Sequence, residues 1–396
     1  MIAKQNTPQL RFQEFDGDWE KKYLGEICDI VGGGTPDTNI PEYWNGDIQW
    51  FTPTEIKSDF VENSVRTITE LGLQKSSAKK LPVGTILLTT RATIGEVSIS
   101  LKECSTNQGF QSLIMKEGNS NFFIFNWIKE NKYELTSRAN GSTFPEISKS
   151  EIQKICLNIP KLPEQQKIAS FLSAVDEKIQ QLTRKASLLE QYKKGVMQQL
   201  FSGKLRFKDE NGDDYPDWKS VKMNELFSFK QGIQCGVEDQ FFEKKDNMER
   251  FIRIIDLTSD KEIPRFINNI DKENVLFEDD LFMVRYGVPG LIGFGYNGII
   301  ANNLFRLIPK KNVHNKFYLY VLTHLKKDIM NLSSSTTMPA LNFSSLGVLK
   351  IPEIEIEEQQ KIANFISSID AKIESTNQQI NQTQSFKKGL LQKMFV

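Results

Sequence analysis

The chain has 396 residues, 39% of them hydrophobic, with 50 basic and 50 acidic side chains and therefore no formal net charge. That length accommodates two or three domains, and neutrality argues against a free-standing DNA-binding protein that depends on overall basicity. It leaves room for local basic faces, or for a partner that supplies phosphate contacts. No apolar run is long enough to span a bilayer, and the N-terminus lacks the apolar core of a secretory signal, so a cytoplasmic location is expected.

The first 160 residues contain short β-type runs separated by Gly, Pro and Asn. TILLTT and EVSISL are predicted strands, GGGT at 32–35 a turn between strands, and residues 122–135 a short amphipathic helix. A long helix is predicted for 161–202. Residues 203–352 then repeat the β-rich plan, with RFIRIIDL, DLFMVRYG and LIGFGYNGII as strands and 316–329 as a short helix. A second long helix is predicted for 353–396. The expected fold class is α+β, with mixed domains at 1–160 and 203–352.

Both long segments carry an apolar stripe with alternating spacings of three and four residues, which is typical of a coiled coil. The first stripe contains Leu172, Val175, Ile179, Leu182, Ala186 and Leu189; the second contains Ile366, Ile369, Ile373, Thr376, Ile380 and Thr383, then Phe386, Leu390 and Met394. About 38 helical residues make a rod of about 57 Å. We expect the two helices to pack antiparallel.

The chain is a tandem repeat. EQQKIA begins at Glu164 and again at Glu358, an offset of 358 − 164 = 194, and the match continues without a gap to Phe201 and Phe395. Sixteen of these 38 aligned positions are identical. The same offset aligns Arg91 with Arg285, and an offset of 195 then pairs Asn107 with Asn302 and Phe110 with Phe305. The absence of a gap over this stretch indicates that the length of the helices matters, whereas the remaining sequence differs strongly between the halves.

A second repeated segment concerns the ends of the chain. LRFQEFDGDW at 10–19 resembles LRFKDENGDDYPDW at 205–218, which directly follows the first long helix. The N-terminal copy is thus what would follow the second helix if the chain were circular. We expect a pseudo-two-fold molecule in which the N-terminal segment packs near the end of the second helix.

The sequence lacks the common motifs of catalytic and cofactor-binding sites. There is no glycine-rich methyl-donor loop with an Asn-Pro-Pro-aromatic motif, no phosphate loop and no G-x-S-x-G elbow. The presence of only two histidines argues against a metal cluster or a Ser-His-Asp triad. The four scattered cysteines (Cys28, Cys104, Cys156 and Cys235) predict reduced structural thiols. The acidic run at 209–214 is interpreted as a solvated turn. No catalytic residue, metal or cofactor is expected, although acidic residues are abundant enough to leave a nuclease cluster open.

The duplicated EQQKIA…KKG…LF helices, GGGTPDTNIPEYWNGDIQWFTPTEI at 32–56, ILLTTRATIGEVSI and GSTFPEISKSEI together resemble the specificity subunits of type I restriction–modification systems. The resemblance implies that each recognition domain reads one half of a split, asymmetric site in double-stranded DNA. It also implies that the helices set the gap between half-sites and dock two DNA methyltransferase subunits, to which ATP-dependent restriction subunits can be added.

Arg91 and Arg285 are the first candidates for DNA contact, because each follows an apolar strand and precedes a glycine-containing turn. A guanidinium there can reach phosphate or guanine, but it can equally form a structural salt bridge. Polar residues before the aligned prolines can donate to phosphates or cap the next element, and several others are weaker candidates. The polar residues are Ser142, Thr143, Ser335 and Thr336, and the weaker candidates are Thr35, Trp50, Lys57, Arg253 and Tyr286, of which Trp50 and Tyr286 fit a core role better.

The helices are the expected docking surface for the methyltransferase subunits. The candidate residues are Gln165, Gln166, Lys193, Lys194, Gly195, Gln359, Gln360, Lys387, Lys388 and Gly389. Plain solvation is the competing explanation for each Lys and Gln. The matched glycines, Gly195 and Gly389, indicate either the close approach of another backbone or fraying last turns, since glycine costs a helix about 1 kcal/mol.

Two other functions stay open at the level of sequence. A scaffold could use the paired helices to join proteins without reading DNA, although two different domains then lack a purpose. A stand-alone nuclease or modification enzyme would need a site that the motif search does not find.

Overall fold

The computed structural model describes residues 7–141, 145–259, 261–268, 275–333 and 339–395. These residues form two compact units. Unit 1 contains the chain up to Thr183 together with the stretch from Gln378 onward, and unit 2 contains Arg184–Asn377. Each unit therefore combines one mixed α+β domain with a part of each long helix.

The described residues of unit 1 form ten short strands and five short helices in front of a long helix. The strands are β1 (Glu20–Tyr23), β2 (Cys28–Gly32), β3 (Trp44–Phe51), β4 (Phe60–Val61), β5 (Arg66–Ile68), β6 (Ile86–Leu88), β7 (Val97–Ser100), β8 (Cys104–Thr106), β9 (Gln111–Met115) and β10 (Cys156–Ile159). The helices are α1 (Leu24–Ile27), α2 (Glu70–Gln74), α3 (Asn121–Glu130), α4 (Lys132–Thr136), α5 (Lys149–Gln153) and the long α6 (Leu162–Phe201). Pro41–Tyr43 and Pro53–Glu55 form 3₁₀ turns.

The strands of unit 1 form three sheets, with the orders β2-β9-β6-β7-β4, β5-β3-β8 and β1-β10. The main core lies between the five-stranded sheet, α3 and the long helices, and it includes Leu88, Phe123, Leu172 and Met394. Apolar side chains on α3 make this possible, since Phe123, Ile124, Trp127 and Ile128 are all buried. The small sheet β5-β3-β8 has its own apolar cluster around Trp44, Trp50 and Ile68.

Unit 2 repeats this architecture. Its strands are β11 (Lys219–Lys222), β12 (Phe227–Gln231), β13 (Met248–Ile252), β14 (Arg265–Asn268), β15 (Val275–Leu276), β16 (Leu281–Val284), β17 (Ile292–Gly293), β18 (Gly298–Ile300), β19 (Leu304–Pro309) and β20 (Lys350–Glu353). Its helices are α7 (Met223–Leu226), α8 (Ile254–Thr258), α9 (Asn315–His324), α10 (Lys326–Asn331), α11 (Phe343–Gly347) and the long α12 (Ile356–Met394), with a 3₁₀ turn at Val237–Asp239.

The sheets of unit 2 keep the strand order of unit 1, except that, among the described residues, the larger sheet lacks a counterpart of the edge strand β4 and the small sheet has a fourth strand, β15. They are β12-β19-β16-β17, β14-β13-β18-β15 and β11-β20. In both small sheets the central strand pairs antiparallel with one neighbour and parallel with the other, as β3 does with β5 and β8 and as β13 does with β14 and β18. The mixed α+β fold class is therefore confirmed for both domains.

The structure corrects two details of the predicted elements. RFIRIIDL is a strand only to Ile252, because Asp256 then accepts a hydrogen bond from the Arg253 backbone N–H at 2.9 Å and starts α8. Phe386, which the periodicity placed on the apolar stripe, is 54% exposed, whereas its neighbours Leu390 and Met394 are buried as expected.

The two matched glycines lie inside the helices. Gly195 is six residues from the end of α6 (201 − 195) and Gly389 is five from the end of α12 (394 − 389), so neither marks a fraying last turn. A Cβ at either position would meet nothing within 4 Å. Each glycine therefore leaves an open strip of backbone on its helix.

All four cysteines are free, and Cys28 and Cys104 are buried. Burial raises the pKa of both thiols to about 12. Across the described ranges, no helix has the length and apolarity needed to cross a membrane.

Candidate nucleic-acid interface

A buried ion pair in unit 1 joins the N-terminal segment to the start of α6. The Glu164 carboxylate is almost fully buried and accepts from Arg11 Nε at 2.7 Å and from Trp19 Nε1 at 3.2 Å. Arg11 also donates to the carbonyls of Asp16 and Gly17, and its hydrogen bond with Glu164 raises its pKa. We call Arg11, Trp19 and Glu164 the clasp of unit 1.

Unit 2 builds the same clasp from the second copies of both motifs. The Glu358 side chain has no exposed surface and accepts from Arg206 Nε at 2.8 Å and from Trp218 Nε1 at 3.0 Å. The aromatic contacts repeat as well, with ring centroids 5.6 Å apart in both Phe12–Phe171 and Phe207–Phe365. These contacts explain why LRF, the following Trp and EQQ recur together.

The expected position of the N-terminal segment is confirmed within unit 1. Leu10 N–H donates to the Lys393 carbonyl near the end of α12 at 2.9 Å. The counterpart in unit 2 is Leu205 N–H, which donates to the Gln199 carbonyl at 3.1 Å, and 393 − 199 is again 194. The same hydrogen bond thus forms in both units, and in unit 2 the two segments are also joined by a continuous backbone.

The first glutamine of each EQQ motif has a structural role. Gln165 and Gln359 are both 2% exposed. Their Oε1 atoms accept from the Ser120 and His314 N–H groups at 2.8 Å, and their Nε2 atoms donate to the Pro160 and Ile354 carbonyls. Buried and bonded on both sides, these two side chains cannot offer a docking surface, which corrects that part of the expectation. Gln166 and Gln360, in contrast, are exposed.

The lysines of the KKG motifs divide in the same way. Lys387 Nζ lies 2.6 Å from Asp176 Oδ1 in unit 1, and Lys193 pairs with Asp370 in unit 2. Since 370 − 176 and 387 − 193 both equal 194, the two ion pairs are repeat equivalents. The second lysines, Lys194 and Lys388, are exposed and remain candidates for partner contact.

Several loops of unit 1 converge where the small sheet ends. We define the rim loops of unit 1 as 33–40, 52–57, 89–96 and 107–110. Thr35 Oγ1 donates to Gln108 Oε1 at 2.6 Å, and Thr90 N–H donates to the Gly109 carbonyl at 2.8 Å. A Cβ on Gly33 would lie 2.0 Å from the Asn107 carbonyl oxygen, so this packing requires glycine.

Arg91 lies on these rim loops with a half-exposed side chain. Its Nε is 2.8 Å from Glu146 Oε1. The next residue, Ala92, has φ of +60°, a backbone conformation that non-glycine residues rarely adopt. Strained backbone of this kind concentrates at functional sites. Arg91 therefore forms the predicted salt bridge and is also accessible.

The rim loops of unit 2 are 232–236, 285–291 and 301–303. Gly232 makes the equivalent close approach, with its Cβ position 2.3 Å from the Ala301 carbonyl oxygen. Arg285 is held more firmly than Arg91. It donates to Gln231 Oε1 and to the Leu341 carbonyl, and its guanidinium lies 4.4 Å from the Phe343 ring centroid.

The structure corrects the alignment of Arg91 with Arg285. The carbonyl of Thr90 accepts from Ile147 N–H, whereas in unit 2 the carbonyl of Arg285 accepts from Leu341 N–H. Arg285 is therefore the counterpart of Thr90, and Arg91 is the counterpart of Tyr286. The two copies are thus 195 residues apart just after β6 and β16. They are 194 residues apart at Phe110, which corresponds to Leu304 instead of Phe305. The two arginines are thus separate features of the two units.

The other candidates differ in accessibility. Lys57 is exposed, whereas Arg253 is engaged by Asp256 and Glu262. Trp50 is core, with its indole N–H donating to the Gly34 carbonyl, and Tyr286 lies under the Arg285 guanidinium. The remaining four, Ser142, Thr143, Ser335 and Thr336, lie outside the described residues.

Sequence reasoning missed two stacked arginines. The guanidinium of Arg66 lies 3.5 Å from the Trp44 ring centroid, and that of Arg265 lies 3.5 Å from the Phe242 ring centroid. No repeat offset links these residues, and an arginine near an aromatic residue is too common a pattern to single them out. In the ranges that the structure describes, no group of His, Cys, Asp or Glu side chains is arranged to hold a metal ion.

Two mixed domains on a duplicated helical framework define a tandem two-domain protein. The family model of the type I restriction modification DNA specificity domain matches residues 16–191 and again residues 215–384. The chain belongs to this family and carries its domain twice, as a non-catalytic specificity subunit.

Similar proteins that are named as specificity subunits match all or part of this chain. The MjaIX specificity subunit of Methanocaldococcus jannaschii is 27% identical over 95% of this chain and 92% of its own. The EcoR124I/EcoR124II specificity subunit of Escherichia coli is 30% identical over 42% of this chain and 43% of its own. The solved S subunit of a type I system from M. genitalium shares the fold with a TM-score of 0.63 at 20% identity, covering 98% of this chain and 99% of that one.

Proposed function

We propose that this chain reads a split, asymmetric DNA target for a type I restriction–modification complex, with one half-site at the rim loops of each unit. The observation that carries the proposal is the contrast between framework and rim. The clasps, the helix ion pairs and the order of the shared strands repeat, whereas Arg91 and Arg285 do not correspond. A repeated framework around different loops suits two different half-sites.

The long helices act in this proposal as an antiparallel coiled-coil spacer between recognition domains at 1–160 and 203–352. The ion pairs support antiparallel packing, because Asp176 early in α6 pairs with Lys387 late in α12, and Lys193 late in α6 pairs with Asp370 early in α12. Forty helical residues span about 60 Å. Half-sites on one face of DNA lie about 34–36 Å apart per helical turn, so the spacer is long enough.

The helices also dock two methyltransferase subunits, to which ATP-dependent restriction subunits are added. Support comes from a feature that the repeat preserves on the exposed surface of both helices. Tyr192 and Phe386 are 53% and 54% exposed at equivalent positions, three residues before the open glycines Gly195 and Gly389. An exposed ring beside an uncovered helix backbone fits a partner helix, and that contact would offset the cost of glycine in a helix.

The docking surface is tested with Gly195→Ala plus Gly389→Ala. Alanine should stabilise the isolated chain, because glycine costs each helix about 1 kcal/mol, yet weaken assembly with methyltransferase subunits in sedimentation or native mass spectrometry. Ser170→Ala on the exposed face of α6 is the control. Unchanged assembly would remove the glycines from the docking surface.

The recognition function is tested by mapping methylated adenines in the genome of the source organism with and without this gene. The expected result is loss of one motif made of two short specific parts separated by a fixed gap. If every modified motif persists, and the partner subunits are active, the chain does not direct methylation and the scaffold function replaces this proposal.

A further inference from the structure

The two units place an arginine at the same position of the small sheet. Arg66 is the first residue of β5 and lies opposite Trp50 of β3, and Arg265 is the first residue of β14 and lies opposite Phe251 of β13. Because the three strands that the two small sheets share have the same order, the two arginines are structural counterparts. Their separation, 265 − 66 = 199, differs from the offset of 194 in the helices.

Both guanidinium groups lie on aromatic rings. The distance from Cζ to the ring centroid is 3.5 Å for Arg66 on Trp44 and 3.5 Å for Arg265 on Phe242. In the described part of the chain, neither is within salt-bridge distance of a carboxylate, whereas carboxylates hold Arg11, Arg91, Arg138, Arg206, Arg250, Arg253 and Arg306. Stacking orients a guanidinium and leaves its N–H donors available for an anion.

The stacked arginines lie at the ends of the sheets that meet the rim loops. Val65 N–H, next to Arg66, donates to Glu55 Oε1 at 2.7 Å, and Glu55 Oε2 accepts from Thr52 N–H at 2.8 Å on the rim loop after β3. In unit 2, Arg265 lies opposite Phe251. The carbonyl of the next residue, Ile252, accepts from Ala301 N–H on a rim loop at 2.9 Å.

We propose that Arg66 and Arg265 each bind a backbone phosphate of duplex DNA, one in each half-site. This inference rests on the proposed DNA-reading function and adds the anchoring contacts to it. Two domains that read different bases still meet the same phosphate backbone, so a contact repeated in both is the sequence-independent one. Arg91 and Arg285, which do not correspond, belong with the sequence-dependent contacts.

The experiment measures DNA affinity of the complete complex with its methyltransferase subunits, carrying Arg66→Gln or Arg265→Gln. Glutamine keeps a planar amide over the ring and removes the charge, which protects the fold. The probes are a duplex containing the split site found by methylation mapping and a duplex of unrelated sequence, from 0.05 to 0.3 M salt. Lys22→Ala, which removes a positive charge from β1, is the control in unit 1.

Each variant should bind both probes about fivefold more weakly near 0.15 M salt, with the slope of log K against log salt reduced by about 0.9, because one phosphate contact is lost. Phosphate ethylation interference should weaken in one half-site only. Loss confined to the specific probe with an unchanged slope would overturn the phosphate assignment in favour of a base contact. Unchanged binding to both probes would show that the arginines only cover the rings. If the wild-type complex prefers no split site, the proposed function fails, and the effect on unrelated DNA still decides the phosphate contact.

Discussion

The clasp of unit 2 makes a quantitative prediction about stability. Arg206→Ala leaves the fully buried Glu358 carboxylate with Trp218 as its remaining donor among these three residues. Removing one partner of a buried ion pair costs about 3–5 kcal/mol, because the other charge stays uncompensated. We expect the lower end, about 3 kcal/mol, since the Arg206 side chain is 24% exposed and water can reach the site. For a unit of this size, that loss lowers the unfolding midpoint by about 6–12 °C.

The assay is thermal and urea unfolding of the full chain, with hydrogen exchange of peptides 204–218 and 356–366 to localise the effect. Adding Glu358→Gln to Arg206→Ala should recover part of the loss, because the double variant no longer buries an unpaired charge. Arg138→Ala, which breaks a half-exposed pair with Glu134, should change stability by less than about 1 kcal/mol. A loss for Arg206→Ala no larger than for Arg138→Ala, or no recovery in the double variant, would refute the reasoning.

Three shorter predictions follow from other contacts. Lys387→Asp should destabilise unit 1 by about 1 kcal/mol or more by facing Asp176, and adding Asp176→Lys should restore the urea midpoint; failure to restore it would remove the ion pair from the helix contact. Gly33→Ala should displace a rim loop, since its Cβ position is 2.0 Å from a carbonyl oxygen, and should weaken DNA binding of the complex more than tenfold at the half-site of unit 1; normal binding would exclude that loop. At pH 8, Cys28 and Cys104 should resist alkylation, because a pKa of about 12 leaves a thiolate fraction of about 10⁻⁴; rapid modification of the folded chain would contradict their burial.

The predicted and observed structures agree where the signal in the sequence is local or repeated. The short helices appear as α3 with α4 and as α9 with α10, each divided by a turn at Asn131 or Leu325. They were predictable because amphipathic spacing follows directly from helix geometry. The position of the N-terminal segment was predicted correctly because its second copy directly follows the first long helix. That copy shows, in a continuous chain, the contact that the first copy makes with the end of α12 by hydrogen bonding.

The candidate site was less predictable because it depends on registers and on distant partners. The offset between the two copies changes by one residue from strand to strand, so the offset of the helices aligned Arg91 with Arg285 wrongly. Such an error matters because a shift of one residue in a strand turns the side chain to the other face of the sheet. Gln165 is a residue type that suits a solvated helix surface, but its side chain is bonded to the Ser120 N–H and the Pro160 carbonyl. Phe386 has the spacing of a core residue, but its side chain is 54% exposed.

The sequence by itself determined that the chain is a duplicated pair of mixed domains on two long helices, because repeats and helical periodicity are properties of the residue order alone. Only the tertiary structure decided which polar residues hold the framework and which remain accessible. Burial of Glu164 and Glu358, and the stacking of Arg66 and Arg265, depend on side chains that are brought together from distant parts of the chain. Spacing along the sequence carries no information about such contacts until the sheets are paired.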